Sequence, residues 1–230
     1  FNGQLWACNN TAEHDTLNRE ANIHIYDLAT KKLVKRITIK DGTPHLFNDL
    51  YITRNGDAYV TDSDGAGIYL VKNGSDKAEP FIKGGTIPYP NGITATADEK
   101  KIIVSTAGGQ GIVSIDLTTK EIKSIRHAHY FIIGADGLYR YKNKLIAVQN
   151  VTFPEGVVEM TLSDDNQTIT DIRHLAVGVP EFDTPTTGVI IGDEFYFIAN
   201  SQLFQLMGNN GKIKNPSKLK ETTILKIKLN

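Results

Sequence analysis

Apolar residues in this chain recur in short runs of five to eight, rich in Val, Ile, Tyr and Thr and separated by Gly, Asn, Asp and Lys clusters. Helical periodicity of 3.6 residues is almost absent, so the pattern predicts an all-β chain. Residues 45–63 set the unit: a polar opening at Asn48 and Asp49, an apolar run, an Asn55-Gly56-Asp57 turn, and a second run through Thr61. Two short runs joined by an Asn-Gly turn are a strong hairpin signal. The opening returns as Pro90-Asn91-Gly92 and as Ala135-Asp136-Gly137, at spacings of 43 and 45 residues from Asn48 to Asn91 to Asp136. A period of that size with several strands per unit predicts a β-propeller of four-stranded antiparallel blades.

With the strands of a blade named a, innermost, to d, outermost, residues 45–82 supply a full set: a near 49–53, b near 58–62, c near 67–71, d near 79–82. Residues 90–125 and 134–175 repeat it. Residues 1–39 read as b, c and d without an a; residues 184–230 read as a, b and c without a d. The expected total is eighteen strands in sets of three, four, four, four and three. The two partial sets do not complete each other. The expectation is therefore a single domain over 1–230, a six-bladed propeller with about five blades visible and an N-terminal piece of about 50–70 residues missing; a five-bladed ring is the alternative. Trp6 and Tyr59, on b strands, are expected between blades. Two long b-to-c connections, 9–21 and 201–221, fall on the face where binding loops gather. The basic stretch 212–220 in the second reads as a solvated loop.

At 230 residues the chain can bury a proper core. Its 25 basic and 26 acidic residues leave a net charge of −1, which favours neither nucleic acid nor an anionic membrane. No apolar run approaches the ~20 residues of a membrane span, and Phe1 does not open a leader pattern. Cys8 is the single cysteine, so no internal disulfide forms. Compartment stays open: periplasmic or extracellular if a missing N-terminus carries a signal, otherwise cytoplasmic.

Asn48, Asn91 and Asp136 hold the same point in three consecutive blades, where innermost strands converge. Two amides and a carboxylate form a hard-oxygen set suited to Ca²⁺ rather than a softer metal, though calcium takes about 6–8 oxygens. The same residue types also form plain turns by bonding their own backbone.

These openings, Phe47-Asn48-Asp49 followed by G-D-A-Y-V-T-D-S, Pro90-Asn91-Gly92 with its 98–101 turn, and Asp136-Gly137, resemble the calcium-dependent six-bladed propellers of the senescence-marker-protein, gluconolactonase and luciferin-regenerating-enzyme group, relatives of the paraoxonases. The resemblance runs over essentially the whole chain. It implies a hydrolase of the lactonase or esterase type, with Asn48, Asn91 and Asp136 as ligands of Ca²⁺ or another divalent metal. It also implies Asp136 as base or nucleophile, and a further Glu from the first blade. That glutamate would lie upstream of Phe1; Glu13 and Glu20 fall in the wrong kind of loop. Sugar-lactone members carry an Arg where this chain has Leu46, so a more apolar ester or lactone is the expected substrate. The alternatives are a non-catalytic ligand-binding propeller with a structural metal and a metal-free strictosidine-synthase-like propeller.

His45, Leu46, Thr186 and Thr187 are the expected substrate contacts. His127 and His129 share one face of an extended segment but lack a third ligand for zinc. Ser63, Ser105 and Ser201 each follow a b strand outside any G-x-S-x-G elbow.

Overall fold

Ile102, Ile103 and Val104 are consecutive and all fully buried, which a strand achieves only when both its faces are covered. In the computed structural model, which describes residues 1–10, 20–107, 109–205 and 212–230, successive side chains of this strand alternate between two clusters. Ile102 and Val104 join Tyr59, Ile68 and Phe81, whereas Ile103 joins Leu138, Leu145 and Val158. The same division recurs elsewhere. Ala58 and Val60 face one cluster and Tyr59 the next; Leu145 and Ala147 face one, Ile146 and Val148 another. Each fully buried Ile or Val contributes about 1.5–3 kcal/mol, so the cohesion lies between sheets. Tyr59 meets Phe81 edge to face at 5.0 Å, and Trp6 packs against the cluster of Ile23 and Phe47.

The described residues form eighteen strands, grouped as expected. The first sheet holds β1 (Gln4–Asn10), β2 (Ala21–Asp27) and β3 (Lys32–Ile39). The second holds β4 (Phe47–Ile52), β5 (Ala58–Asp62), β6 (Gly67–Val71) and β7 (Glu79–Ile82) in chain order. Next come β8 (Pro90–Ala95), β9 (Lys101–Thr106), β10 (Ile112–Asp116) and β11 (Ile122–His127), followed by β12 (Ala135–Tyr141), β13 (Lys144–Gln149), β14 (Gly156–Leu162) and β15 (Thr168–Val177). The last sheet holds β16 (Gly188–Ile191), β17 (Glu194–Ile198) and β18 (Ile224–Lys228). Pairing inside each blade is antiparallel. The turn at 53–57 forms as the Asn-Gly pair predicts: Gly56 sits at φ +90° and its N–H reaches the Thr53 carbonyl. The chain is an all-β propeller.

One pairing was not expected. The outermost strands β11 and β15 meet in parallel at Arg126–Thr168 and His127–Ile169, joining two blades into one eight-stranded sheet. An outermost strand carries unpaired N–H and C=O groups on its free edge, and β15, at ten residues, is long enough to satisfy a few of its neighbour's. No helix among the described residues is long and apolar enough to cross a membrane.

Candidate functional site

Innermost strands β4, β8 and β12 approach one another closely, and Gly92 of β8 shows how closely. A Cβ there would lie 2.3 Å from the Asp136 carbonyl oxygen and 2.6 Å from the Leu138 nitrogen. The glycine of the Pro-Asn-Gly opening is thus required by the neighbouring backbone, not by a turn.

At the opening end of these strands lies a cavity of about 440 Å³. Asn48, Asn91 and Asp136 all line it, with Leu46 and Thr186. The repeat therefore does bring its three polar positions to one place. His45 and Thr187, expected beside them, are not in the lining. Thr187 instead lends its carbonyl to the Ile198 N–H. His45 is captured from the other side: Nδ1 lies 2.5 Å from Asp62 Oδ2 and Nε2 lies 3.0 Å from Asp41 Oδ1, with its side chain 8 % exposed. The Asp62 hydrogen bond raises the imidazole's pKa against the opposing effect of burial, and the Asp62 and Asp41 charges add to the rise.

Orientation of the polar groups follows from hydrogen-bond supply. Ser63 spends its one hydroxyl proton on the Pro90 carbonyl at 2.6 Å, so at Asn48 it can only accept, from Nδ2 at 3.0 Å. That fixes the Asn48 amide and leaves Oδ1 as the group free for the cavity. Asp136 Oδ2 accepts from Asn150 Nδ2 at 2.8 Å and from Thr186 Oγ1 at 2.6 Å; Oδ1 has no partner among the described residues. The Asn91 side chain bonds nothing among them. Asn10 also borders the cavity, but its amide is consumed by both backbone groups of Phe47.

Ser63 and Ser201, after their b strands, and Ser105, within the end of β9, are clasps rather than nucleophiles. Ser63 Oγ bonds Pro90 O and Ser105 Oγ bonds Ala135 O, each reaching the first residue of the next blade's innermost strand. Ser201 Oγ bonds Thr184 O.

Asp49 sits with Asn48 in the register irregularity between Phe47 and Leu50 but borders a second cavity, of about 250 Å³, with Tyr51, Tyr139 and Arg140. Burial pushes its carboxyl up to about 7, against lowering bonds from the Leu50 and Ile93 N–H groups, and the Asp136 charge raises it further. Burial also pushes the Cys8 thiol well up, with Asp49 adding to it, so the cysteine in the mouth cavity is a neutral wall group.

Several wall residues carry no repeat signal. Thr184 is β-branched yet sits at φ +62°, 2 % exposed, with a buried hydroxyl that has no partner among the described residues. Asn150, Val151, Leu203 and Phe204 come from connections after strands b. Only the positive φ and missing partner at Thr184 mark it as a site residue, and neither is visible in a sequence.

As a calcium site the cavity offers the Asn48 and Asn91 amides, the Asp136 carboxylate and the Asn150 Oδ1 left over from that residue's bond to Asp136. Calcium takes about 6–8 oxygens, so the rest would come from water or from outside the described residues. Among the described residues no group of three or more His, Cys, Asp or Glu is placed to hold a metal ion. His127 and His129 have ring centroids 5.9 Å apart. Glu13, considered above as a ligand, lies outside the described residues; Glu20 pairs with Arg36 at 2.8 Å and Lys40 at 3.4 Å. The basic stretch is described, and its Lys220 N–H is held by the Gln202 side chain.

Among known proteins, the major royal jelly protein family matches residues 2–153, a span holding Asn48, Asn91, Asp136 and Asn150 but not Thr184 or Thr186. Solved structures with the same fold include the major allergen Mala s 1 of Malassezia sympodialis, at TM-score 0.66 and 14 % identity, covering 98 % of this chain and 73 % of that one. A catalytically inactive virginiamycin B lyase from Staphylococcus aureus with quinupristin gives TM-score 0.56 and 14 % identity, covering 98 % and 74 %. Hydrazine synthase of Kuenenia stuttgartiensis gives 0.57 and 15 %, covering 82 % of this chain; the match spans about half, 54 %, of that longer one. No curated protein matches the chain. At these identities the solved structures speak for the propeller alone.

Proposed function

This chain belongs to the major royal jelly protein family, and from that premise we propose that it is a ligand-binding propeller whose mouth cavity takes a small, largely apolar molecule with a cationic or hydrogen-bond-donating head. The observation that carries this reading is the lining. Leu46, Phe47, Val151, Leu203 and Phe204 supply apolar walls, no Lys, Arg or His is among the described lining residues, and acceptors prevail among the unspent polar groups: Asp136 Oδ1, Asn48 Oδ1 and Asn150 Oδ1, beside the unpaired Asn91 amide and Thr184 hydroxyl. Apolar walls with a few convergent polar groups are the usual make-up of small-molecule sites.

A second reading is favoured by the fixed Asn48 amide: Ca²⁺, or another divalent metal, held by Asn48, Asn91 and Asp136 in a hydrolase of apolar esters or lactones. The metal would act as a Lewis acid on the substrate's carbonyl oxygen. Leu46 in the lining, where an arginine would clamp a sugar acid, fits an apolar substrate.

One titration series tests both. 2-Naphthylmethylammonium, its neutral alcohol counterpart and CaCl₂ are titrated into the full chain and into Asp136→Asn, which keeps an acceptor for Thr186 and Asn150. The binding reading expects the ammonium to bind at least about tenfold more tightly than the alcohol and to lose that advantage in the variant. Calcium binding that vanishes in the variant, with ester turnover, supports the second reading instead. No binding of either to the wild type refutes both.

A further inference from the structure

We propose a second ligand site, away from the mouth, that takes a small planar aromatic anion such as an aromatic carboxylate. It is a cavity of about 380 Å³ between the connection after β9, strand β11 and the segment that leads into β12. Its side walls are Gln110, Ser124, Arg126, His127, Tyr130 and Phe131, and no acidic side chain lines it among the described residues. The volume suits a one- or two-ring compound.

The charge preference comes from Arg126. Its guanidinium has neither an ion-pair nor a hydrogen-bond partner among the described residues, although 26 acidic residues are available in the chain. A planar fork of donors left unspent at a cavity wall matches a carboxylate in two-point contact. His127 adds a donor of fixed identity. Its Nδ1 accepts the His129 backbone N–H at 3.1 Å, so the neutral ring carries its proton on Nε2.

The preference for a flat ring comes from the aromatics. Tyr130 lies against His127 with centroids 4.8 Å apart and 35° between planes. Tyr130 and Phe131 are 64 % and 63 % exposed, although adjacent large rings are usually buried. The segment they sit on is held close to its neighbour. Gly111, at φ +69°, approaches so near that a Cβ would lie 2.9 Å from the Ile132 carbonyl and 3.5 Å from the Phe131 ring. The two rings therefore stand at the cavity on an anchored backbone, ready to stack a ligand at small ordering cost.

This site has a charge preference opposite to that of the mouth and does not rest on the mouth's function. The test is a calorimetric titration of 2-naphthoate into the full chain, into Arg126→Gln and into Tyr130→Ala, with 2-naphthalenemethanol as the uncharged counterpart. The expected result is that the alcohol binds at least about tenfold more weakly than the acid, that Arg126→Gln removes this advantage, and that Tyr130→Ala weakens both. Naphthoate should also bind unchanged in the presence of 2-naphthylmethylammonium. Both substituted side chains are at the surface, and the acid-to-alcohol ratio on the wild type needs no variant. Equal binding of acid and alcohol, retention of the advantage in Arg126→Gln, or no binding of naphthoate overturns the proposal.

Discussion

Thr186 donates a 2.6 Å hydrogen bond to Asp136 Oδ2 across fifty residues of chain, tying the opening of the last blade to the innermost strand of the blade before it. Asn150 supplies the second bond to the same oxygen at 2.8 Å, so the carboxylate is held by one edge and its other oxygen is left for the cavity. Thr186→Val keeps the shape and removes the donor. A bond to a charged acceptor is worth about 1.5–3 kcal/mol, and the part-buried setting puts the expected loss in thermal or urea unfolding near the lower end. Thr186→Ser should restore it.

Gly92 has backbone, not a flexible side chain, 2.3 Å from where its Cβ would be. Gly92→Ala must push β8 from β12. The expected cost is about 1–3 kcal/mol of unfolding free energy, in line with overpacking elsewhere. The mouth affinity should fall with it, because Asn91 moves too. Ala95→Gly, on the same strand but buried in a cluster between blades, should destabilise without a comparable change in affinity.

Thr184 is the reverse case. A β-branched residue in the left-handed region costs on the order of 1–2 kcal/mol, and its buried hydroxyl recovers no hydrogen bond from the described residues. Thr184→Gly should therefore raise stability, by about 1 kcal/mol after the loss of packing and the added freedom of the unfolded chain. Ligand affinity at the mouth should drop. A gain in both would mean that the strain serves no site.

His45 makes stability depend on pH. Its folded pKa is raised, first by the Asp62 hydrogen bond and then by the charges of Asp62 and Asp41, with burial opposing; Tyr69 packs edge-on at 5.8 Å. A raised imidazole is stabilising below its unfolded value of about 6.5 and loses that contribution as pH rises through the folded value. Melting temperature should fall as pH is taken upward from about 6.5, and His45→Gln should flatten that part of the profile. Asp49, held up at about 7 by burial, gives an earlier fall, because its ionised form is disfavoured in the fold: its contribution is lost between the ordinary carboxyl value of about 4 and about 7, so the slope that remains in His45→Gln should lie below about pH 7.

Much of the propeller could be read from residue order. The four strands of 45–82 lie within about two residues of their expected positions, because each is a local run whose apolar positions need only a neighbour on either side. The convergence of Asn48, Asn91 and Asp136 on one cavity was legible for the same reason: equal positions in equal units meet wherever the units are arranged about one centre. The second rank of residues was not legible. Nothing in 41–46 says that His45 turns away to be clamped by Asp41 and Asp62, and Thr187 is one residue from Thr186 yet outside the cavity, its carbonyl taken by the Ile198 N–H. The β11–β15 pairing joins residues whose partners are decided by the tilt of whole blades.

What the amino-acid order determined by itself was therefore the strand count, the blade boundaries and the three polar openings, all set by patterns shorter than one blade. Only the tertiary structure decided which oxygens remain unspent. Whether Asn48 offers its carbonyl depends on Ser63 having given its single proton to Pro90, and whether Asp136 keeps an oxygen free depends on Asn150 and Thr186 both binding the other. Hydrogen-bond supply is a count over neighbours brought together from distant parts of the chain, and it exists only once the blades have closed against each other.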